Sequence, residues 1–434
     1  MQQMISLFGV FALIGLAWLL SSDRRRFPLR ICLWGVGLQF IFCVLILGIP
    51  SLGFTGPLKG VFAAANSAVM ATLDYTLAGS RFMFGDLMNT DKYGFVLALQ
   101  VLPTIIFISA LMAVLYHLGV MQKIILFFAL IMQKTMKTSG AETLSAAANI
   151  FVGQSEAPLL IKPFVLGMTR SELLCIMVGG MANTAGGVMA AYVGLLRDRQ
   201  PDIAGHLLTA SILSAPASLL FAKILLPESS TPETYGRIPK ESTVTPHANV
   251  IDAAANGASE GLSLALNVGA MLLAFIALMA MMNALLGGAG HFIGFDSWGQ
   301  GLIPEALKTP GQSTALSFQL VLGWLFAPIA FLIGIPLNEI YLAGALLGEK
   351  TILNEFVAYV HLADLSAAFS DRTFILLSYA LSGFANFSSI AIQIGGIGGM
   401  APTRRMDLAR LGVKAVIGGT LSTLMTAAVV GVFI

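Results

Sequence analysis

The stretch Asn149-Ile-Phe-Val-Gly-Gln-Ser-Glu156 gathers amide, hydroxyl and carboxylate side chains around Gly153 inside an otherwise apolar run. Such groups are expensive at membrane depth and mark a substrate or ion site. About half a chain later, Phe331-Leu-Ile-Gly-Ile-Pro-Leu-Asn-Glu339 offers a Gly, a breaker and a terminal Glu in similar order. Of the 22 Asp and Glu, Glu156 and Glu339 alone read as deep within apolar segments. Gln154, Ser155, Asn386, Ser388 and Ser389 add neutral donors and acceptors, so two acids among amides and hydroxyls suit a neutral polyol or base and would repel an anion. Phe384 and Leu266 are candidates for the apolar face of that site. The competing reading is that each carboxylate caps a half-helix N-terminus through the local dipole, a role compatible with binding.

Other chemistries lack their residues. The five histidines share no helical spacing with one another, and no Walker loop, HExxH, CxxC or Ser-His-Asp order occurs. The chain is therefore expected not to be an enzyme, and an ion gradient is the expected driving force. Cys32, Cys43 and Cys175 lie in apolar runs as small core residues. A net charge of +2 implies no nucleic-acid partner.

The elements that must position these residues follow from composition. With 57% hydrophobic and 11% charged residues over 434 positions, the chain is an all-α polytopic membrane protein in contact with lipid. Eight transmembrane helices are expected, at 4–20, 31–49, 95–118, 171–196, 207–226, 264–286, 374–399 and 412–434. Interfacial helices are expected at 61–78 and 123–136, and an amphipathic one at 351–371. Segment 138–165 is split by Gly153 and Pro158 into halves too short to cross, and 316–347 is split by Pro328, Gly334 and Pro336. Each reads as a re-entrant hairpin, permitted where its irregular backbone is packed in protein. Gly180-Met-Ala-Asn183 follows the first hairpin and Gly383-Phe-Ala-Asn386 the second. Threading the first loop inside places 16 of the 24 Lys and Arg on the inner side and both termini outside. The hairpins then enter from opposite leaflets, which makes an inverted repeat with its site near the midplane. The expected divisions are 1–118, 119–226, a polar linker at 227–263, 264–286 and 287–434, with 287–313 an outer loop.

These motifs resemble the concentrative nucleoside transporters. Ala147-Ala-Asn-Ile-Phe-Val-Gly-Gln-Ser-Glu-Ala-Pro158, Pro336-Leu-Asn-Glu339 and Gly383-Phe-Ala-Asn-Phe-Ser-Ser-Ile390 carry the likeness, which spans nearly the whole chain. The resemblance implies a homotrimer in a bacterial inner membrane. The early spans and the sixth would form a scaffold beside a transport domain that moves like an elevator. It implies that Gly153, Gln154, Ser155 and Glu156 meet the nucleobase near Leu266 and Phe384, and that Glu339, Asn386 and Ser389 hold the ribose. Sodium would sit among Asn149, Val152, Asn183 and Thr184, an oxygen-only shell. The chain departs from the family pattern at Asn183, where bacterial relatives usually carry Ser or Thr. Asn is longer, so both sodium and the proton stay open as the coupled ion, with Glu156 the first candidate proton carrier. The expected function is a sodium-driven nucleoside symporter, with proton coupling as the alternative and a substrate channel third.

Overall fold

A computed structural model describes residues 1–49, 53–94, 96–239, 247–303, 308 and 315–434. Phe95 and parts of the expected loops, 240–246 on the inner side with 304–307 and 309–313 on the outer, lie outside the described residues. Among the described residues the regular elements are helices, joined by two isolated β-bridges.

Among the described residues seven helical stretches are long and apolar enough to cross a membrane: Gln2–Leu19, Leu29–Ile46, Leu97–His117, Arg170–Leu196, Ile203–Leu225, Val250–Phe292 and Pro402–Phe433. They divide by burial. In the most apolar windows of Arg170–Leu196 and Ile203–Leu225, 94% of residues are buried, against 22% in Leu97–His117 and Val250–Phe292. Lipid is as apolar as a leucine side chain, so a helix facing it need not be buried. The first pair therefore forms the inner body and the second a lipid-compatible wall.

The helices are named in chain order. α1 is Gln2–Leu19, α2 Leu29–Ile46, α3 Lys59–Phe84, α4 Leu102–His117 and α5 Val120–Met136. The short α6, Gly140–Ala148, turns through 149–156 into a 3₁₀ arm at Ala157–Ile161. The next crossing is broken at 183–185 into α7, Arg170–Ala182, and α8, Gly186–Leu196, and α9 is Ile203–Leu225. After α10, Val250–Phe292, the same order returns. α11 is Phe318–Leu332, α12 Ile340–Ile352 and α13 Glu355–Asp364. α14, Asp371–Leu381, and α15, Phe387–Met400, flank a break at 382–386, and α16 is Arg405–Phe433. At 1.5 Å per residue the 9 residues of α6 and the 11 of α14 cover about half a bilayer core or less, so each must end inside protein.

Polar caps begin these half-helices where the apolar pattern alone would not. Ser139 and Glu142 form a capping box at α6, and Thr169 and Glu172 form one at α7. Asn354, Ser370 and Asn386 cap α13, α14 and α15. Small residues set the wall against the body. A Cβ on Gly257 would lie 2.6 Å from the Ala113 Cβ and 2.7 Å from the Ser109 carbonyl, so glycine lets α10 rest on α4.

Four expectations shift. The polar linker ends early, because Asn249 caps α10 and the helix runs through 250–263. The expected span 374–399 is two short helices around the break at 382–386. The expected amphipathic helix at 351–371 is interrupted at Leu353 and Asn354, where α12 turns into α13. The expected hairpin at 316–347 is α11 and α12 packed along one another. Gly334, with φ +92°, and Pro336 do break the chain, but at the end of the bundle that also holds both termini. There the Arg372 guanidinium donates to the carbonyls of Gly334, Gly431 and Ile434, and to the Ser6 hydroxyl. In element order, α12 and α13 correspond to α6 and its 3₁₀ arm, so the matching tip is at 353–355.

Candidate functional site

Two tips and two helix breaks meet in the middle of the inner body. In the first tip, the Gly153 N–H donates to the Glu156 carboxylate at 3.3 Å, folding the loop back on itself. The buried Gln154 is held from both ends: its Nε2 donates to Ser389 Oγ at 3.1 Å, and its Oε1 accepts from Gln393 Nε2 at 3.1 Å. Gln393 also donates to the Met177 carbonyl at 2.9 Å, tying α15 to α7. In the second tip Glu355 is 5% exposed, and its two carboxylate oxygens accept from Tyr192 Oη at 2.9 Å and Asn386 Nδ2 at 3.2 Å. Asn386 uses its other side-chain atom as a cap, accepting from the Ser389 N–H at 2.9 Å and Ser388 Oγ at 2.7 Å.

The breaks cross back to back. A Cβ on Gly383 would lie 2.8 Å from the Met181 carbonyl and 2.9 Å from Ala182, so the second Gly-Phe-Ala-Asn run must begin with glycine to press on the first. Backbone freed from a helix here is surrounded by protein, which is the condition under which it survives at membrane depth.

Between the tips lies a cavity of about 130 Å³. Gly153, Gln154, Ser155, Glu156, Glu355, Phe384, Asn386, Ser388 and Ser389 line it, and Leu264, Val268, Met271 and Leu272 of α10 supply an apolar wall. Ser155 and Glu156 are exposed, opening into it. Two cavities elsewhere are larger, about 440 Å³ beside Lys223 and 630 Å³ beside α5, but neither collects groups from both tips. Convergence of polar groups on an apolar enclosure, more than volume, identifies a binding site.

Of the residues expected at the site, Gly153, Gln154, Ser155, Glu156, Phe384, Asn386 and Ser389 come together. Leu266 does not. It is 63% exposed, whereas Leu264, two residues and about 200° of helix earlier, lines the cavity. Glu339 is also elsewhere: its carboxylate accepts from the Ser370 N–H at 3.3 Å and Ser370 Oγ at 3.1 Å, at the start of α14. It does what the capping alternative describes. The acid that faces Glu156 is Glu355. A signal for it existed in the repeat: Glu156 precedes Asn183 by 27 positions and Glu355 precedes Asn386 by 31, while Glu339 precedes it by 47. Tyr192 and Gln393 had no such signal, because each sits within an apolar helix whose rotation the sequence leaves open.

Beside the first tip is a set of oxygens without a hydrogen-bond partner. Asn149 is 1% exposed and Thr184 2%, and both Asn149 Oδ1 and Thr184 Oγ1 are buried with no hydrogen-bond partner, as is Ser145 Oγ. The segments that carry them are joined by the Gly186 N–H, which donates to the Phe151 carbonyl at 3.1 Å. Asn183 is already committed. Its Nδ2 donates to the Gly179 carbonyl at 3.1 Å and its Oδ1 accepts from Ser214 Oγ at 2.5 Å. Uncommitted neutral oxygens fit a hard monovalent cation. Among the described residues no group of three His, Cys, Asp or Glu could hold a metal.

Comparison with known proteins bears on what such a cavity takes. Residues 206–431 match the family model described as the C-terminus of the Na⁺ dependent nucleoside transporter, and residues 8–87 match its N-terminus. Residues 98–199 match a model described as nucleoside recognition. The nucleoside permease NupC of Helicobacter pylori is 38% identical across 100% of this chain and 98% of its own length. The mouse sodium/nucleoside cotransporter 1 is 37% identical over 99% of this chain, which corresponds to 64% of that protein. Among solved structures, CNTnw in an inward-facing substrate-bound state is similar with a TM-score of 0.87 at 41% identity, covering 100% of this chain and 98% of CNTnw.

Proposed function

The chain belongs to the concentrative nucleoside transporter family, and on that premise we propose that it is a sodium:nucleoside symporter of a bacterial inner membrane. The observation that carries the reading is the meeting of Glu156 and Glu355, from separate hairpin tips, on one cavity beside the uncommitted oxygens of Asn149 and Thr184. Gln154, Ser155 and Glu156 would meet the base, which stacks near Phe384. Glu355, Asn386 and Ser389 would take the ribose hydroxyls, because an ionised carboxylate accepts from two adjacent hydroxyls and Asn386 is already oriented by its cap. Sodium would be held by Asn149, Thr184 and the Val152 carbonyl, with Asn183 supporting Thr184 from the backbone. The cation neutralises part of the negative field at the tip, and so links its own binding to that of a neutral substrate.

The inner body would move as a unit against α1–α4 and α10, carrying the closed cavity between leaflets, and three copies would assemble through their wall helices. One charge moving inward through 100 mV releases about 2.3 kcal/mol, roughly 50-fold accumulation at 1.4 kcal/mol per tenfold. The test is tritiated uridine uptake into proteoliposomes with sodium and proton gradients imposed separately. Uphill uptake under the sodium gradient alone is the expected result, and uptake that follows only the proton gradient would remove the sodium assignment.

The cation shell carries its own prediction. Thr184→Val keeps shape and removes one buried oxygen, so the sodium concentration for half-maximal uptake should rise about tenfold, in line with a lost contact worth ~1.5 kcal/mol. Uridine affinity at saturating sodium should be kept. An unchanged sodium dependence in this variant would show that the oxygen is not a ligand.

A further inference from the structure

Lys350 ends α12 one turn before the second tip, is 1% exposed, and among the described residues has no carboxylate within 4.0 Å of its ammonium. Its Nζ donates instead to neutral oxygens, the Ala380 carbonyl at 2.8 Å and Thr423 Oγ1 at 2.6 Å. A void of about 10 Å³ adjoins it, lined also by Thr420, whose Oγ1 is buried without a partner. An ammonium in such a place is costly unless something requires it.

The matching place in the first half supplies the requirement. Asn149 ends α6 before the first tip, and a Cβ built on Gly179 of α7 would lie 3.2 Å from its Nδ2 and 3.8 Å from the Ser218 hydroxyl of α9. Lys350 ends α12 and reaches α14 through Ala380 and α16 through Thr423. The same three elements meet in each half: hairpin arm, first half of the broken crossing, and the long helix after it. On one side the arm's Asn149 Oδ1 and Ser145 Oγ are uncommitted, and on the other the three elements surround a cation bonded to the chain.

We propose that the Lys350 ammonium is a resident cation, standing in the second half where the first half binds the transported one, so that a single exchangeable cation accompanies each substrate. This rests on the sodium reading of the first half. A fixed positive charge there would hold the second tip, with Glu355 five residues on, in its binding arrangement through every step of the cycle, whereas the first tip is held only when its cation arrives. Loading and unloading of sodium would then act on one tip alone.

The test compares Lys350→Ala and Lys350→Met with wild type as purified full-length protein, reading uridine affinity and thermal stability against sodium with choline as the replacement ion. Wild type should show a sodium response with a Hill coefficient of about 1. Lys350→Ala leaves an oxygen-lined void, so its uridine affinity should fall about tenfold or more at moderate sodium and recover at high sodium, with the coefficient moving toward 2. Lys350→Met fills the void with an uncharged chain, and should lose the affinity without recovery at any sodium concentration. An alanine variant that folds in sodium and fails in choline gives the same result through stability. A methionine variant with wild-type affinity, an alanine variant with an unchanged single-site response, or an alanine variant unfolded in both salts would each overturn the proposal. A wild type that ignores sodium and follows pH would sink the sodium reading of the first half, and Lys350→Met would still test the resident cation through uridine affinity.

Discussion

Glu355→Ala should abolish concentrative nucleoside uptake, with transport falling by ~10⁴-fold or more, the range reached when a site built to hydrogen-bond hydroxyls loses its partner. The size follows from what the carboxylate does. It is buried, it accepts from Tyr192 and Asn386, it lines the cavity, and each of its oxygens keeps a lone pair to spare. Truncation removes a charge-assisted acceptor for substrate and leaves two buried donors unsatisfied. Glu355→Gln keeps an acceptor on one oxygen and should fall between wild type and alanine, while Tyr192→Phe should weaken affinity less than either. Glu339→Ala is the control. Its carboxylate caps α14 through Ser370, so the change should cost ~0.5–2 kcal/mol of stability and leave the half-saturating uridine concentration unchanged. Uptake of tritiated uridine into proteoliposomes, with monodispersity checked for each variant, decides the matter. Robust uptake by Glu355→Ala together with its loss in Glu339→Ala would reverse the assignment of the two acids.

That contrast shows where sequence reading stops. The first tip was legible because its polar residues interrupt an apolar run and have no charged neighbours, so Glu156 stands out. The second was hidden by its own chemistry. Glu349, Lys350 and Glu355 fall within seven positions and look like the solvated face of an amphipathic helix. In the fold each charge finds an internal partner instead: Glu349 accepts from or shares a proton with His361 Nδ1 at 2.8 Å, Lys350 meets a carbonyl and a hydroxyl, and Glu355 meets Tyr192 and Asn386. Charges satisfied in three dimensions cannot be told from charges satisfied by water in one. Glu339 drew attention for the opposite reason, since Gly334 and Pro336 mark the base of a hairpin as readily as its tip. The crossings were easier, because a run of apolar residues long enough to span lipid has few other uses. Leu266 in place of Leu264 is an error of helical phase, which no count of apolar residues can correct.

The two halves also differ in how they are anchored at their bases. At the terminus-bearing end, Glu339 and Arg372 join α12, α14 and α16 through caps and carbonyls. At the other end the equivalent joint is ionic, with its Lys223–Glu142 pair buried. Both arrangements hold a hairpin base to the helix after it, which leaves the first tip, with no fixed cation of its own, as the part free to respond to ligand. A rigid base with an adjustable tip is what a cavity that must close on either side requires.

Lys223→Met should be the most destabilising single change outside the cavity, by ~3–5 kcal/mol, the cost of leaving a buried charge without its partner. Lys223 is 3% exposed at the end of α9, and its ammonium reaches Glu142 at 2.9 Å, Glu228 at 3.1 Å and Ser171 Oγ at 3.0 Å. Glu142 is 1% exposed; one of its oxygens caps α6 through the Ser139 N–H, and the other has the lysine as its ion-pair partner. Ser139 Oγ in turn donates to Glu172 at 2.5 Å, so the network joins the N-termini of α6 and α7 to the C-terminus of α9. Lys223, Glu142 and Glu172 each lie at the helix end whose dipole favours the charge, which explains how a lysine and two glutamates persist inside. Removing the lysine strands Glu142, whereas Lys223→Met combined with Glu142→Gln removes both charges and should recover much of the loss, a coupling that a double-mutant cycle measures directly. Glu228 adds a pH signature. Partial burial works against its carboxylate, but Lys223, Thr169 and the Ser230 N–H outweigh that and hold it below its ordinary 4.5. Its contribution is therefore complete at neutral pH and is lost only as pH falls through that lowered value, and in Lys223→Met the loss should begin at higher pH. Unfolding in mixed micelles at several pH values reads both effects. Equal stability of Lys223→Met and wild type would mean that water reaches Glu142 and that the joint is not the anchor described.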